Sequence, residues 1–489
     1  MNRDLAALAN QYFDVVIIGG GILGAGAARD AALRGLSVAL IDKADFAAGA
    51  SSGSSKLIHG GFRYLEQRAF GLVSEACRER AVLQRLAPHL VKPLPFLFPV
   101  YRGDRHGWRA IRFGMTLYDW LARDRNVVRH RALRATRTLM KEPSLNRQNL
   151  VGSVLFHDCQ EDDARFCLEN IVDAAEHGAT CANYCAATGF ITRENRLVAV
   201  RVHDQLAGQG FEITGRIFIN AGGPWVERIA ALTPFATGPI ALSPTKGVHL
   251  VVPALTQEHA IAWQARRDGR MLFVLPWGEC SIVGTTDTDF AGNPDAARTE
   301  PADVAYLLDA TRALMPERNL TGADIITTFV GVRALLAADG AAPSARSREH
   351  RIVRQGENLL SVAGGKYTTY RLIARQTVDQ AEQLMGRAIT PCRTDTTPFP
   401  LHRPGPDGEK IAECPEVYAS DIRHACAHEM AMTLSDVMRR RTSLALSRHG
   451  GPDTAETVAG IMGDCLGWSE IELRRQFQQY FEEWKAARP

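Results

Sequence analysis

The run Val15-Val16-Ile17-Ile18-Gly19-Gly20-Gly21-Ile22-Leu23-Gly24-Ala25-Gly26 passes from an apolar strand through a glycine turn into a helix. A second apolar run, Val38-Ala39-Leu40-Ile41, ends on Asp42. Strand, turn, helix, strand and acid within about 30 residues make up a βαβ dinucleotide site. Gly19 permits the tight turn, Gly21 lets the backbone approach a pyrophosphate, and Gly24 lets helix and strand pack closely. The helix start offers N–H groups and a partial positive charge to phosphates. Asp42 stands where a carboxylate accepts from a ribose 2′-OH, which disfavours a 2′-phosphate. The bland alternative is a glycine-rich turn without a ligand; the flanking strands and the acid argue against it.

A chain of 489 residues exceeds one core, so two or three domains are expected. A net charge of +3 is too small at this length to signal nucleic-acid binding. The ten cysteines form no CxxC and no zinc ladder; they read as reduced thiols of a cytosolic protein, with no metal site. Met1 to Tyr12 carries no secretion signal, and nowhere do 18 apolar residues run together. Any membrane contact is therefore expected to be peripheral.

Ala50-Ser51-Ser52-Gly53-Ser54-Ser55 reads as a Gly/Ser loop whose small residues let a ligand approach, or else as a mobile connector. A helix is expected over 72–87, after which Pro88, Pro93, Pro95 and Pro99 break the pattern. Residues 105–123 alternate large apolar side chains with arginines at roughly helical spacing. Such a helix can lie in a membrane interface or pack on its own protein. Arg129, Arg131, Arg134, Arg137 and Lys141 read as a solvated helix face. Asp162 can cap a helix through Glu176 that Gly178 closes. Strands are expected near 186–193, 197–203 and 216–219, the last running into Asn220-Ala221-Gly222-Gly223, a second backbone approach to the same cofactor. An antiparallel substrate sheet is expected from 247–252, 271–275 and 280–285. Residues 358–363 lead into Gly364-Gly365-Lys366 and a helix from about Thr368. Prolines from 391 to 406 mark a linker, and 416–486 reads as helical throughout.

Two stretches resemble the signatures of the FAD-dependent glycerol-3-phosphate dehydrogenase family, of the aerobic, respiratory type. They are Ile18-Gly19-Gly20-Gly21 through Gly24, Gly26, Asp30, Arg34 and Gly35, and Gly364-Gly365-Lys366-Tyr367-Thr368-Thr369-Tyr370-Arg371. Ser54-Ser55-Lys56-Leu57-Ile58-His59-Gly60-Gly61-Phe62-Arg63-Tyr64, Lys246-Gly247-Val248-His249, Gly284-Thr285-Thr286-Asp287 and Gly331-Val332-Arg333 are also similar, as are His428-Glu429-Met430 and Arg439-Arg440-Arg441-Thr442 in the tail. The resemblance implies an α/β fold: a Rossmann-type FAD-binding domain with an inserted α+β substrate-binding domain and a C-terminal all-α domain. The corresponding division is 1–75, 151–228 and 350–390 for FAD, 76–150 and 229–349 for the cap, and 391–489 for the helical domain.

The same resemblance implies oxidation of sn-glycerol 3-phosphate to dihydroxyacetone phosphate by hydride transfer from C2 to flavin N5. Electrons would pass to quinone at an anionic membrane surface, on the cytoplasmic face of the inner membrane. A related oxidase branch uses oxygen and carries an insertion not evident here. A homodimer is one arrangement left open. Leu23, Ala334 and Tyr367 depart from the family pattern, which leaves a second polyol phosphate as an alternative substrate. An amino-acid oxidase would not need several arginines facing the substrate. A nucleic-acid-binding flavoprotein would rest only on Arg439-Arg440-Arg441 and the 129–141 stretch.

A phosphate of nearly two negative charges suits guanidinium forks. By motif position Arg333 and Arg348 are the phosphate pair, each with an ordinary salt bridge as its alternative. His249, in an apolar strand, is either the base for the C2 hydroxyl or a satisfied core histidine. Arg63 and Lys366 can stabilise developing negative charge, and Tyr64 can pack on the substrate. The expected FAD contacts are Gly19, Gly21, Gly24, Asp42, Ser51, Ser52, Ser55, Lys56, Leu57, His59, Gly60, Gly61, Ala221, Gly222, Gly365, Lys366, Tyr367 and Thr368.

Overall fold

A computed structural model describes every residue except 67, 236–239, 338–348, 402–403, 406 and 489, together with the side chain at 63. Arg348 therefore lies outside the described residues, and of Arg63 only the backbone, in the short 3-10 turn Phe62–Leu65, is described.

The fingerprint forms the strand Tyr12–Ile18 and the helix Ile22–Leu33, with Val38–Ile41 as the next strand. They lie within an eight-stranded sheet whose parallel core runs Leu359–Gly364, Gln209–Asn220, Tyr12–Ile18, Val38–Ile41, Thr180–Ala182. His350–Gln355 closes one edge antiparallel. Cys185–Arg193 and Arg196–Asp204 form a meander off the long Gln209–Asn220 strand. Parallel strands buried on both faces read as unbroken apolar runs. Accordingly Val15 and Ile17 pack under the helices Ile22–Leu33, Asp163–Glu176 and Tyr370–Leu384, while Val16 and Ile18 pack under the meander. Asp162 caps the second of these helices as its sequence suggested, accepting from Arg165 N.

The second sheet has ten strands, nearly all antiparallel. It runs Thr288–Asp289, Thr245–Pro253, Cys280–Gly284, Met271–Trp277, Ala260–Gln264, Lys92–Tyr101, Leu150–Gln160, Leu57–Ile58, with Thr327–Arg333 and Arg131–Arg134 as side branches. The proline-rich stretch after residue 88 is thus an interior strand. Alternate residues direct their N–H groups to one side, so Pro93, Pro95 and Pro99 leave the other ladder intact. That ladder runs the strand's length against Leu150–Gln160, whereas Ala260–Gln264 meets it only at Phe96 and Leu97. A domain boundary at residue 150 has to move accordingly: Leu150–Gln160 pairs within the second sheet, and the cofactor domain resumes at the Asp163–Glu176 helix.

The tail is not helical throughout. A small hairpin, Lys410–Ala412 with Val417–Tyr418, precedes the helices Ala419–His428, Pro452–Leu466 and Glu470–Ala486. Between them, a π-helical turn at Val437–Arg441 sends both Arg440 and Arg441 onto Asp45, three residues beyond Asp42. Two of the three tail arginines are therefore buried in an ion cluster that docks the helical domain on the first sheet, which removes the main support for a nucleic-acid surface.

The 105–123 segment is the helix Trp108–Ala122, and it packs through Ile111, Met115, Tyr118 and Ala122. Trp108 also faces inward, against the second core. Phe113 and Trp120, 72% and 71% exposed, share the outer face with Arg109, Arg112 and Arg123. The basic stretch after it is part strand, Arg131–Arg134, and part helix, Ala135–Lys141. Among the described residues no helix is long and apolar enough to cross a membrane.

Candidate functional site

The carboxyl ends of the parallel strands open onto one elongated cavity of about 670 Å³, which lies against the second sheet. At one end are Asp42 and Lys43. The middle is formed by Gly19, Gly21, Ser51, Ala221 and Gly222. Ser55, Tyr64, Thr285, Arg333, Gly365 and Lys366 gather at the other end. Ligands of open α/β sheets bind in this position.

Glycine makes the middle of the cavity possible. Gly19 sits at φ +115°, and a Cβ there would lie 2.6 Å from the Ala221 carbonyl oxygen. At Gly24 a Cβ would overlap the Gly19 oxygen, so its part is to bring helix against strand. Ser51 Oγ accepts from Ile22 N at 2.9 Å, which locks the Gly/Ser loop to the helix start. Asp42 accepts from Gly20 N at 2.7 Å and from Ala44 N at 2.9 Å. Burial pushes its carboxyl up to about 6 against those two bonds. Each oxygen thus carries one backbone bond and keeps lone-pair capacity for a ribose hydroxyl.

The far end is carved by glycines of the second sheet. Thr327–Arg333 pairs with Thr245–Pro253, so Gly331 lies beside Gly247 and Phe329 beside His249. A Cβ at Gly247 would overlap the Arg333 guanidinium, and one at Gly284 would overlap the His249 ring. Gly53 and Gly331 meet back to back, a Cβ on Gly53 lying 2.7 Å from Gly331 Cα. This contact seats the 50–55 loop on the cap. Arg333 donates to Thr285 Oγ1 at 3.0 Å and to Asp287 at 3.1 Å while lining the cavity. Lys366 caps the turn Tyr367–Thr369, with its ammonium 3.7 Å from the centre of the Tyr64 ring.

Several expected contacts are placed differently. Lys56 is buried with its ammonium on Asp163, so it does not line the cavity; Ser54 N and Oγ donate to the same carboxylate. Among the described residues Ser52 Oγ donates to the Gly49 carbonyl, and Gly60 N donates to Asp158; neither residue is on the wall. His249 is 1% exposed and stands behind Ser55, with Nε2 2.9 Å from Ser55 Oγ and the ring stacked on Phe329 at 4.6 Å. Burial first, then Arg333 and Lys56, hold its imidazole well below the usual histidine range. Leu57, His59, Gly61, Tyr367 and Thr368 do line the cavity.

Sequence reasoning missed Asp158, which receives Gly60 N, Tyr118 Oη and the Arg80 guanidinium. It also missed an apolar wall of Phe62, Phe96, Phe156, Met271 and Phe273. The apolar run Phe96-Leu97-Phe98 carried a strand signal that the flanking prolines, Pro95 and Pro99, masked.

Residues 14–379 match a family model described as FAD dependent oxidoreductase, and residues 388–473 one described as the C-terminal domain of alpha-glycerophosphate oxidase. Glycerol-3-phosphate dehydrogenase 2 of Mycobacterium bovis is 35% identical over 97% of this chain and 88% of its own. The chain belongs to the FAD-dependent glycerol-3-phosphate dehydrogenase family. A second glycerol-3-phosphate dehydrogenase, from Synechocystis sp., is 34% identical over 98% of each chain. The solved glycerol-3-phosphate dehydrogenase of Bacillus halodurans, complexed with FAD, superposes with a TM-score of 0.80 at 26% identity, covering 99% of this chain and 97% of that one. FAD is the cofactor of the family. The cavity suits it: a side-chain-free approach at Gly19 and Gly21, an acid at the ribose position and cations at the far end.

Proposed function

We propose that this chain oxidises the C2 hydroxyl of sn-glycerol 3-phosphate, giving dihydroxyacetone phosphate, and that quinone takes the electrons at an anionic membrane surface. The observation that carries the reading is the convergence of Arg333, Lys366 and the Ser55–His249 pair at one end of the cofactor cavity. Arg333 holds the phosphate, since a fork of N–H donors matches a dianion and Thr285 with Asp287 keeps it aimed. Lys366 and the adjoining helix start favour negative charge as the hydroxyl proton leaves. His249 accepts that proton; it is neutral at pH 7 because burial and two nearby cations disfavour its charged form. FAD, when bound, supplies the two-electron acceptor for the hydride leaving C2.

The exposed Phe113 and Trp120 beside Arg109 and Arg112 support contact with anionic lipid, and the apolar cavity wall supports an apolar acceptor. A second reading, another polyol phosphate as substrate, is favoured by one observation: the three departures from the family pattern, Leu23, Ala334 and Tyr367, all line the cavity.

Anaerobic addition of polyol phosphates to the yellow protein tests both. Bleaching by glycerol 3-phosphate at the lowest concentration supports the first reading, preference for a longer polyol phosphate supports the second, and no bleaching by any of them refutes both. Reduction of a quinone analogue, compared with the peroxide yield in air, tests the acceptor.

A further inference from the structure

We propose that Ser55 is a catalytic residue, whose hydroxyl relays the substrate's C2 hydroxyl proton to the His249 ring. The inference rests on the reading above, that a polyol phosphate alcohol is oxidised in this cavity.

Access comes first. Ser55 lines the cavity; His249 does not, and at 1% exposure it has no surface to offer a substrate. The ring also has little freedom to swing forward. Phe329 stacks on one face with planes only 8° apart, and Gly284 lies so close that even a methyl group there would overlap the ring. Nδ1 has no hydrogen-bond partner among the described residues, so Nε2 to Ser55 Oγ, at 2.9 Å, is the ring's polar link toward the cavity. That distance suits proton transfer.

The serine is also held in place. On one side of it, Ser54 donates through N at 3.0 Å and Oγ at 2.7 Å to Asp163; on the other, the Lys56 ammonium pairs with the same carboxylate. Gly53 is wedged against Gly331. Both flanks of Ser55 are thus tied to other elements, which leaves its hydroxyl rotor as the moving part. A hydroxyl can donate and accept at once.

The proton balance closes. The C2 O–H bond breaks and its proton forms a bond to Ser55 Oγ, while the original Ser55 proton forms a bond to His249 Nε2. The serine hydroxyl is regenerated and the imidazole gains one positive charge. The electron pair leaves C2 with the hydride, to the acceptor named above, and C2 becomes a carbonyl. Arg333 and Lys56 are the cations that disfavour charge on the ring. A phosphate on Arg333 offsets one of them, so the ring accepts a proton more readily once substrate is seated.

The test uses the holoenzyme, with Ser55→Ala and Ser55→Thr. In anaerobic stopped flow, Ser55→Ala is expected to slow flavin reduction at least 100-fold, with bound FAD absorbance and affinity for inorganic phosphate within about twofold of wild type. Ser55→Thr, which keeps the hydroxyl, is expected to recover to within about tenfold. Proton inventories in mixed light and heavy water are expected to need two protons for wild type. Histidine-selective 15N NMR gives a readout without turnover: inorganic phosphate is expected to move the His249 titration upward, and Ser55→Ala to shift the Nε2 resonance. A Ser55→Ala rate within threefold of wild type overturns the relay, and so does an equal loss in Ala and Thr accompanied by lost FAD or phosphate affinity. A wild-type flavin that no polyol phosphate reduces overturns the parent reading instead, and is distinguished by failing before any variant is made.

Discussion

Arg333→Ala removes the guanidinium that lines the cavity between Thr285 and Asp287. Hydrogen bonds to a charged group contribute about 1.5–3 kcal/mol each. A fork placing two on a phosphate therefore contributes about 3–6 kcal/mol, or roughly 10²- to 10⁴-fold in kcat/KM. The phosphate carries the same charge before and during oxidation, so the loss should fall on KM, while kcat at saturating substrate changes little. Arg333→Lys keeps the charge but loses the fork, and should fall between the two. Removing the arginine also leaves Asp287, nearly buried, without its partner. Bound FAD absorbance must therefore be followed alongside, and Asp287→Asn separates that effect: it should alter KM far less than Arg333→Ala. The assay is steady-state reduction of a quinone analogue over a range of glycerol 3-phosphate, with anaerobic flavin bleaching as the single-turnover check. An unchanged KM in Arg333→Ala with FAD fully bound would refute the phosphate assignment.

Three further outcomes follow from particular contacts. Asp45→Asn leaves buried Arg441 without its carboxylate and Arg440 with Asp436 alone, and should destabilise docking of the tail by about 3–5 kcal/mol, seen as a lower unfolding temperature and weaker FAD retention. Burial alone would push the Asp45 carboxyl up, but Arg441 and Arg440 outweigh it and hold it at about 2. A depressed carboxyl contributes stability above its unfolded value near 4, and that stability is lost as pH falls toward 2; the gap between wild type and Asp45→Asn should narrow over that window, and a gap independent of pH would count against the ion cluster. Gly247→Ala should displace the Arg333 guanidinium, raising KM at least tenfold with flavin retained; wild-type kinetics would show that the strand can shift instead. Phe113→Ser with Trp120→Ser should weaken sedimentation with anionic vesicles without changing flavin bleaching, whereas Trp108→Ser, an inward-facing change, should act through stability. Equal vesicle binding by the double variant would place the membrane contact elsewhere.

Much of the cofactor half was legible because its signals are local. The apolar period of Val15 to Ile18, the left-handed backbone at Gly19 and the cap at Asp162 each depend on a few neighbouring residues, and each took the form expected of it. The prolines at 93, 95 and 99 misled for the same reason: locally they break a strand, yet a partner spanning the whole strand on one side tolerates them. Lys56 and Ser55 are neighbours in one motif with opposite fates. The lysine turns inward to Asp163, 107 residues away, and the serine faces the cavity in front of His249, 194 residues away. No periodicity of a single segment encodes such pairings. The chain's own residues thus specified a βαβ cofactor site, the strands around it and the residue types that meet a phosphate. Which side chains reach the cavity, which are consumed in buried ion pairs and which shield the base was decided when two sheets and a helical tail closed on one another, because burial and charge pairing depend on every segment that arrives at the same place.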